Sequence, residues 1–238
     1  VRAVGGEVEL FNAGTSINAS NRRFGTAKYG KFSVRTGVGQ LTQTEHSAYP
    51  PDCALTARLA DGTVYGRHTT HAVDVCADHL SCVFSLGEKS GQHSIQVETT
   101  LWWRHGWQCH AHRVRLSEPA SLCLGGYALG APEAEDLMMR TDANFATADN
   151  RTHRVAVQPL AGFERIVAHA TPGADGARWH ILATYSMTLV MEALLDPGVH
   201  TLVGLHWVGD RGQEPSPWQR IQSSRGEWTL QHEELGMW

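Results

Sequence analysis

Apolar and polar residues alternate with a period of two along much of the chain, which is the pattern of half-buried β-strands. The clearest runs lie at 80–86, 94–103 and 181–195, and in the last of these the odd positions are the more apolar. Further candidate strands lie at 107–116 and near 7–11, 29–38, 53–59, 63–76, 119–129, 153–158, 163–170, 199–208 and 227–231. The alternation predicts about a dozen antiparallel strands or more.

Turn-forming residues separate these runs, for example ADGT at 60–63, DPG at 196–198 and GDRGQEPSP at 209–217. Only APEAEDLMM, at 131–139, has the composition for a turn or two of helix. The expected fold is therefore all-β, a large antiparallel β-sandwich with few or no helices. With no internal repeat and no long linker, residues 1–238 are expected to form a single β-sandwich domain.

Composition narrows the classes of partner. The chain of 238 residues is 42% hydrophobic and 18% charged, with a formal net charge of -4 and interspersed charges. Such a composition predicts a folded chain and provides no basic face for nucleic acid and no basic stripe for a membrane surface. No apolar run reaches the length of a bilayer span. Neither nucleic acid nor a membrane is expected as a partner.

The five cysteines, at 53, 76, 82, 109 and 123, contain no Cys-x-x-Cys pair. Reduced, mostly buried thiols of a cytoplasmic protein fit this number and spacing better than a disulfide framework. No basic-then-apolar leader opens the sequence, and its first residue is valine. The chain reads like part of a longer or processed protein.

The segment LWWRHGWQCHAHRV, at 101–114, concentrates tryptophan and histidine. We expect strands at 93–103 and 107–116, joined by a three-residue loop at 104–106 that has glycine at its end. This loop predicts a register in which the opposed pairs are Trp103 with Trp107, Trp102 with Gln108, Thr100 with His110, and Glu98 with His112.

This register assigns the side chains to two faces. The face expected to pack on a core carries Val97, Leu101, Trp103, Trp107, Cys109 and Ala111. The face expected to point away from it carries Gln96, Glu98, Thr100, Trp102, Gln108, His110 and His112. A slip of one residue would exchange the faces of one strand.

Three interpretations of the second face stay open. In the first, it is a solvated sheet surface on which Glu98 pairs with His112. In the second, His110, His112 and Glu98 bind a divalent metal such as zinc, the one cofactor that the pattern suggests. In the third interpretation, the face lines a saccharide groove in which Trp102 is the stacking platform.

The metal interpretation has a family precedent. HAHRVRLSEPASLCLG combines a His-x-His pair with Glu118 and Gly125, and resembles the first motif of the cupins, which are metal-binding jelly rolls. Gly106 lies too near His110 for that motif, and no second cupin motif follows. A metal-binding, cupin-like enzyme is therefore an alternative. No Gly-x-Ser-x-Gly elbow, phosphate loop or dinucleotide fingerprint is present.

Three blocks carry a different resemblance: ELFNAG at 9–14, KYGKFSVRTGVG at 28–39, and WQCHAHRVRL with the later GGYALG, at 107–116 and 125–130. In order and spacing they resemble the microbial domain-of-unknown-function family 2264. The resemblance implies an N-terminal helical (α/α) toroid followed by a C-terminal β-sandwich, similar to heparinase II/III-type polysaccharide lyases. This chain would be the sandwich part.

The resemblance implies a carbohydrate-related module that contacts an oligo- or polysaccharide, acidic in the lyase case, and is inactive without its helical domain. Lyases of this type abstract the proton next to a uronate carboxylate, with tyrosine or histidine as base and acid. The matching positions are Tyr29, His110 and His112 as catalytic candidates, Lys31 and Arg35 as substrate contacts, and Arg113, which the predicted register assigns to the core side, where it needs an acidic partner. Trp102 and Glu98, outside the matching blocks, are further candidate substrate contacts from the face analysis above. A non-catalytic carbohydrate-binding module is the other alternative.

Overall fold

The chain is described by a computed structural model. The described residues are 8–12, 24–29, 32–38, 47–49, 55–66, 68–75, 79–87, 94–104, 107–142, 144–172, 185–222 and 228–237. In the first four ranges the description is of the strand backbone. No helix among these residues is long and apolar enough to span a membrane.

Strands make up most of the described chain. They are β1 (Val8–Asn12), β2 (Phe24–Tyr29), β3 (Phe32–Val38), β4 (Ser47–Tyr49), β5 (Leu55–Leu59), β6 (Val64–Tyr65), β7 (His68–Val75), β8 (His79–Gly87), β9 (Ser94–Arg104), β10 (Trp107–Leu116), β11 (Ala120–Ala131), β12 (Met138–Asp142), β13 (Phe145–Asp149), β14 (His153–Ala161), β15 (Arg165–Pro172), β16 (Tyr185–Leu195), β17 (Gly198–Asp210), β18 (Gln219–Gln222), β19 (Trp228–His232) and β20 (Gly236–Met237). One short 3-10 turn, Ala134–Asp136, lies in the segment for which a turn or two of helix was expected.

Two large sheets form the sandwich. One has eight strands in the order β12-β13-β14-β17-β10-β9-β8-β7, and the other has the order β15-β16-β11-β5-β6 with β4 paired to β11. Two smaller sheets have the orders β1-β3-β2 and β18-β19-β20. Within the described residues, neighbouring strands pair in the antiparallel direction throughout. The expectation of a large, antiparallel, all-β sandwich is confirmed.

The main core lies between the two large sheets. Phe84 and Leu101 from the eight-stranded sheet and Leu122 from the other are fully buried within it. The sheets approach closely at Gly204 on β17, where an added Cβ would lie 2.5 Å from Met191 Cε and 3.2 Å from Leu124 Cδ2. Since protein interiors are close-packed, the Met191 side chain fills the space that the Cβ of any larger residue at position 204 would need.

A second core covers part of the outer face of the eight-stranded sheet. Trp107, Leu205 and Trp207 of that sheet are buried together with Trp218 and Leu230 from the C-terminal segment. Gln158 on β14 fixes this segment with both ends of its amide, because Nε2 donates to the Trp218 carbonyl at 2.7 Å and Oε1 accepts from the Trp218 N–H at 2.9 Å. Strand β10 is consequently buried on both faces along its first half.

Several parts of the strand prediction were wrong: the run 63–76 contains two strands, β6 and β7, and β4, β18 and β20 were not predicted. The run 29–38 is not one strand: β2 ends at Tyr29, β3 begins at Phe32, and these two residues pair across a reversal of the chain. Tyr29 and Arg35 therefore lie on two different strands. Strands β12 and β13 were not predicted; most β12 side chains are exposed, so its sequence carries little alternation.

The described cysteines, Cys82, Cys109 and Cys123, are free. Burial raises the pKa of the Cys82 and Cys109 thiols to about 12, so both stay protonated at neutral pH. Cys53 and Cys76 lie outside the described residues.

Candidate functional site

The register of the β9–β10 hairpin differs by one residue from the prediction. Strand β9 runs through Arg104, which pairs with Trp107. Two residues therefore separate the strands where three were expected, and every opposed pair moves by one position. His112 lies opposite Thr99, and His110 lies opposite Leu101. The predicted pairing of Glu98 with His112 is wrong.

This shift reverses the faces of β10 and leaves those of β9 as expected, because successive side chains of a strand point to opposite faces. Val97 and Leu101 face the main core, as predicted. His110 and His112 lie on that same inward side and are buried, whereas they were expected to point away from it. Trp107 and Cys109 point outward and are buried by the C-terminal segment.

Three histidines meet inside the sandwich, and we call His110, His112 and His206 the interior histidine cluster. Their relative exposures are 1%, 0% and 2%. The ring centroid of His110 lies 4.8 Å from that of His206 and 6.0 Å from that of His112. His206 belongs to β17, which pairs with β10, so the cluster forms across two strands that are distant in sequence.

Two of these rings, His110 and His206, are kept neutral mainly by burial. His112 Nδ1 shares a 2.6 Å hydrogen bond with Thr99 Oγ1, and His110 Nε2 donates to Gln108 Oε1 at 3.3 Å. Burial lowers the pKa of His206 to about 3. Burial, followed by repulsion from His206 and His112, holds the pKa of His110 well below its ordinary value. An uncharged imidazole avoids the cost of placing a cation in the core.

This geometry supports a structural role for the cluster. A substrate cannot reach rings that are 1% or 0% exposed while the two sheets remain packed. Glu98, the proposed third metal ligand, lies on the other side of the sheet and contacts Arg113. Among the described residues, no group of three His, Cys, Asp or Glu side chains has the arrangement of a metal site.

The outward side chains of β8, β9 and the second half of β10 form a different surface, which we call the open face. It carries His79, Ser81, Gln96, Glu98, Thr100, Trp102, Arg113 and Arg115. At one end, the rings of Trp102 and His79 lie 6.5 Å apart with an interplanar angle of 35°. In the middle, Ser81 Oγ and Thr100 Oγ1 are 3.4 Å apart.

The other end of the open face carries charge. Arg113 Nη1 lies 3.4 Å from Glu98 Oε2, and the two side chains are 59% and 62% exposed. Arg113 was expected on the core side, where it would have needed a buried acidic partner; its exposure follows from the same one-residue shift. An aromatic ring, two hydroxyls and a charged pair on one sheet surface have the chemistry to contact a saccharide.

The structure thus brings Trp102 and Glu98 together and separates both from His110 and His112. Sequence reasoning missed His79, Ser81 and Arg115. The first two were readable as the polar positions of the alternating run at 79–86, but their position beside Trp102 and Thr100 depends on the pairing of β8 with β9. Arg115 was missed because the reversed register assigned it to the core side.

The outer face of the other large sheet has its own polar cluster. Glu192 Oε2 accepts from Arg165 Nε at 2.9 Å, and its Oε1 lies 3.7 Å from His169 Nε2 and 3.8 Å from Cys123 Sγ. Burial and the nearby Glu192 carboxylate raise the pKa of the Cys123 thiol, which makes it a poor nucleophile. The cluster is a satisfied network on an exposed sheet surface.

The remaining candidates lie in the N-terminal strands. Tyr29 ends β2, and Arg35 lies in β3, where its backbone pairs with Thr26 on one side and Glu9 on the other. Lys31 lies outside the described residues. The catalytic role of Tyr29 and the substrate contacts of Lys31 and Arg35 stay predictions.

Comparison with known proteins yields a similarity of fold. No family model and no curated protein matches the chain, so membership in the domain-of-unknown-function family 2264 stays a prediction. The fold is similar to that of the heparan sulfate lyase HepC from Pedobacter heparinus, with a TM-score of 0.51 and 11% identity, over 74% of this chain and 28% of that one.

Two further solved structures are more distant. Heparinase III aligns with a TM-score of 0.46 and 11% identity, over 77% of this chain and 28% of that one. A galactose mutarotase related enzyme from Lactobacillus acidophilus aligns with a TM-score of 0.45 and 8% identity, over 83% of this chain and 98% of that one. Both scores are too low to carry an argument. The chain spans less than a third of the length of the lyases.

Proposed function

We propose that this chain is the carbohydrate-related β-sandwich module of a polysaccharide-lyase-like protein. The observation that carries the proposal is the fold similarity to HepC, a heparan sulfate lyase, over 74% of this chain. The resemblance of three sequence blocks to the domain-of-unknown-function family 2264 supports the same role. So does the chemistry of the open face, where Trp102 and Glu98 are the proposed substrate contacts.

The proposed module depends on a helical domain for any lyase reaction. The alignment with HepC covers 28% of that lyase, so most of it has no counterpart here. Proton abstraction needs a base within hydrogen-bond reach of the substrate, and His110 and His112 are buried. Tyr29 is the proposed contribution of this chain to proton transfer, and Lys31 and Arg35 are its proposed neighbours in the cleft with the helical domain.

The proposal is tested with the purified chain and with a longer version that includes whatever precedes residue 1. Elimination at a uronate leaves a conjugated double bond that absorbs in the ultraviolet, so turnover of heparan sulfate can be followed directly. We expect the chain alone to bind acidic glycans and to form no unsaturated product. Product formed by the chain alone would contradict the dependence on a partner domain. Failure to bind any glycan would remove the carbohydrate role.

A further inference from the structure

The open face has features of a binding surface that are independent of any catalytic cleft. Its aromatic end is held in place, because Trp102 is half-buried and packs at the edge of the second core. A ring that is already immobilised loses little conformational entropy when a ligand stacks on it. The partly exposed His79 ring continues the aromatic surface onto the neighbouring strand.

The centre of the open face is shallow. Ala111, Thr100 and Ser81 lie side by side on three adjacent strands, directly beyond Trp102 and His79. Adjacent strands are about 4.8 Å apart, so these three side chains span about 10 Å. Small side chains leave room above the sheet, and the two hydroxyls can donate and accept hydrogen bonds, as the hydroxyls of a saccharide require.

The far end of the open face attracts anions. Arg113 and Arg115 are two residues apart on β10, so both point outward and their Cα atoms are about 7 Å apart. Both are exposed, and among the described residues Arg115 has no ion-pair partner. The Arg113 contact with Glu98 is exposed, and exposed ion pairs contribute little to stability because water and salt screen them. An incoming acidic group can therefore replace it.

Besides Glu98, two described acidic residues bear on the charge of the open face: Asp74 on β7, and the exposed Glu118, three residues after Arg115. Asp74 on β7 lies in the row of Ser81, Thr100 and Ala111, three strands from β10. That separation is about 14 Å at ordinary strand spacing, and it exceeds the screening length at physiological salt. On the open face itself, Arg113, Arg115 and Glu98 carry a net charge of +1, and Glu118 lies past the end of β10, in the connection to β11.

We propose that the open face binds an acidic oligosaccharide, with one sugar ring on Trp102, its hydroxyls at Ser81 and Thr100, and a carboxylate or sulfate at Arg113 and Arg115. This inference rests on the proposed carbohydrate role and adds the place of binding and the side chains that contact the acidic sugar. The surface lies on the outside of the eight-stranded sheet, so it would hold the glycan without performing chemistry on it.

Isothermal titration calorimetry with three probes of equal length tests the inference: a heparan sulfate hexasaccharide, an oligogalacturonate and a neutral cello-oligosaccharide. We expect both acidic probes to bind more tightly than the neutral one. Trp102→Ala should weaken binding of the acidic probes about tenfold, which corresponds to about 1.4 kcal/mol. Arg115→Gln should weaken it about threefold and reduce its dependence on salt.

Arg165→Gln is the matched control, because Arg165 is also an exposed arginine on the outer face of a large sheet, paired with Glu192. It should leave binding unchanged. If Trp102→Ala lowers the amount of folded protein, Arg115→Gln decides alone, since that side chain is exposed. Binding that survives both substitutions, or equal affinity for the neutral probe, overturns this inference and leaves the proposed function standing. A wild-type chain that binds no probe overturns both.

Discussion

The two sides of the β9–β10 hairpin both mix polar with apolar residues, yet they have opposite physical roles. Inside, Thr99, His112 and His110 are buried; Thr99 and His112 share a hydrogen bond, and His110 donates to Gln108 on its own strand. Outside, Glu98 and Arg113 are more than half exposed. The comparison teaches that a cluster of histidines marks a site only when its face is known, because a buried imidazole can be a satisfied part of a core.

The largest expected difference is between the adjacent residues Leu101 and Thr100. Leu101 is 0% exposed in the main core, so Leu101→Ala should lower the free energy of unfolding by about 2–5 kcal/mol. Thr100→Ala, on the open face, should change it by less than about 0.5 kcal/mol. Urea unfolding of the two variants measures both values. Equal losses would show that the inward and outward faces of β9 are not the ones described.

The second expected effect is a loss of stability in acid. Below pH 6.5 the unfolded chain protonates His206, while the folded protein does not until about pH 3. Above pH 6.5, the neutral His206 ring makes its full contribution to the free energy of unfolding. As the pH is lowered from 6.5 to about 3, that contribution falls by about 1.4 kcal/mol for each pH unit. Urea unfolding at several pH values measures the slope.

His206→Gln should reduce the slope of the unfolding free energy against pH by the amount that corresponds to uptake of about one proton. The buried His110 should add to the slope of the wild-type protein with the same sign. His71→Gln is the control, because the side chain of His71 is exposed and its replacement tests whether loss of any histidine changes the slope. An unchanged slope in His206→Gln would mean that this ring is not held neutral by burial.

The smallest expected effect concerns Glu98. Because its contact with Arg113 is exposed, Glu98→Gln should change the free energy of unfolding by less than about 1 kcal/mol. The same substitution would cost several kcal/mol if Glu98 were the buried partner of a histidine. Thermal unfolding of wild type and variant at neutral pH separates the two cases, so a large loss would argue for an interior Glu98.

Much of the fold could be predicted because strand alternation is a local property. The inward positions of Phe84, Val97 and Leu101 could be predicted from their spacing. The short 3-10 turn within 131–139 could be predicted from the composition of that segment. The N-terminal reversal between Tyr29 and Phe32 was missed, because a short hairpin with apolar flanks resembles one longer strand.

The candidate site was less predictable. Trp102 and Glu98 share a face whatever the partner strand does, because they lie four residues apart on β9. Their neighbours His79, Ser81 and Arg113 depend on how three strands align, and that alignment is set by turn lengths and by packing. His206 joins His110 only because β17, about a hundred residues later, pairs with β10.

By itself, the sequence determined that this protein is an antiparallel β-sandwich and which residues of its clearly alternating strands, such as β8 and β9, lie together on one face. Both follow from the period of two, which needs no knowledge of the partner strand. The tertiary structure alone decided which face of β10 is interior, since one residue in the hairpin connection reverses it. It also decided that Trp107 and Cys109 are buried on the outer side, because the C-terminal segment packs there and removes their apolar surface from water.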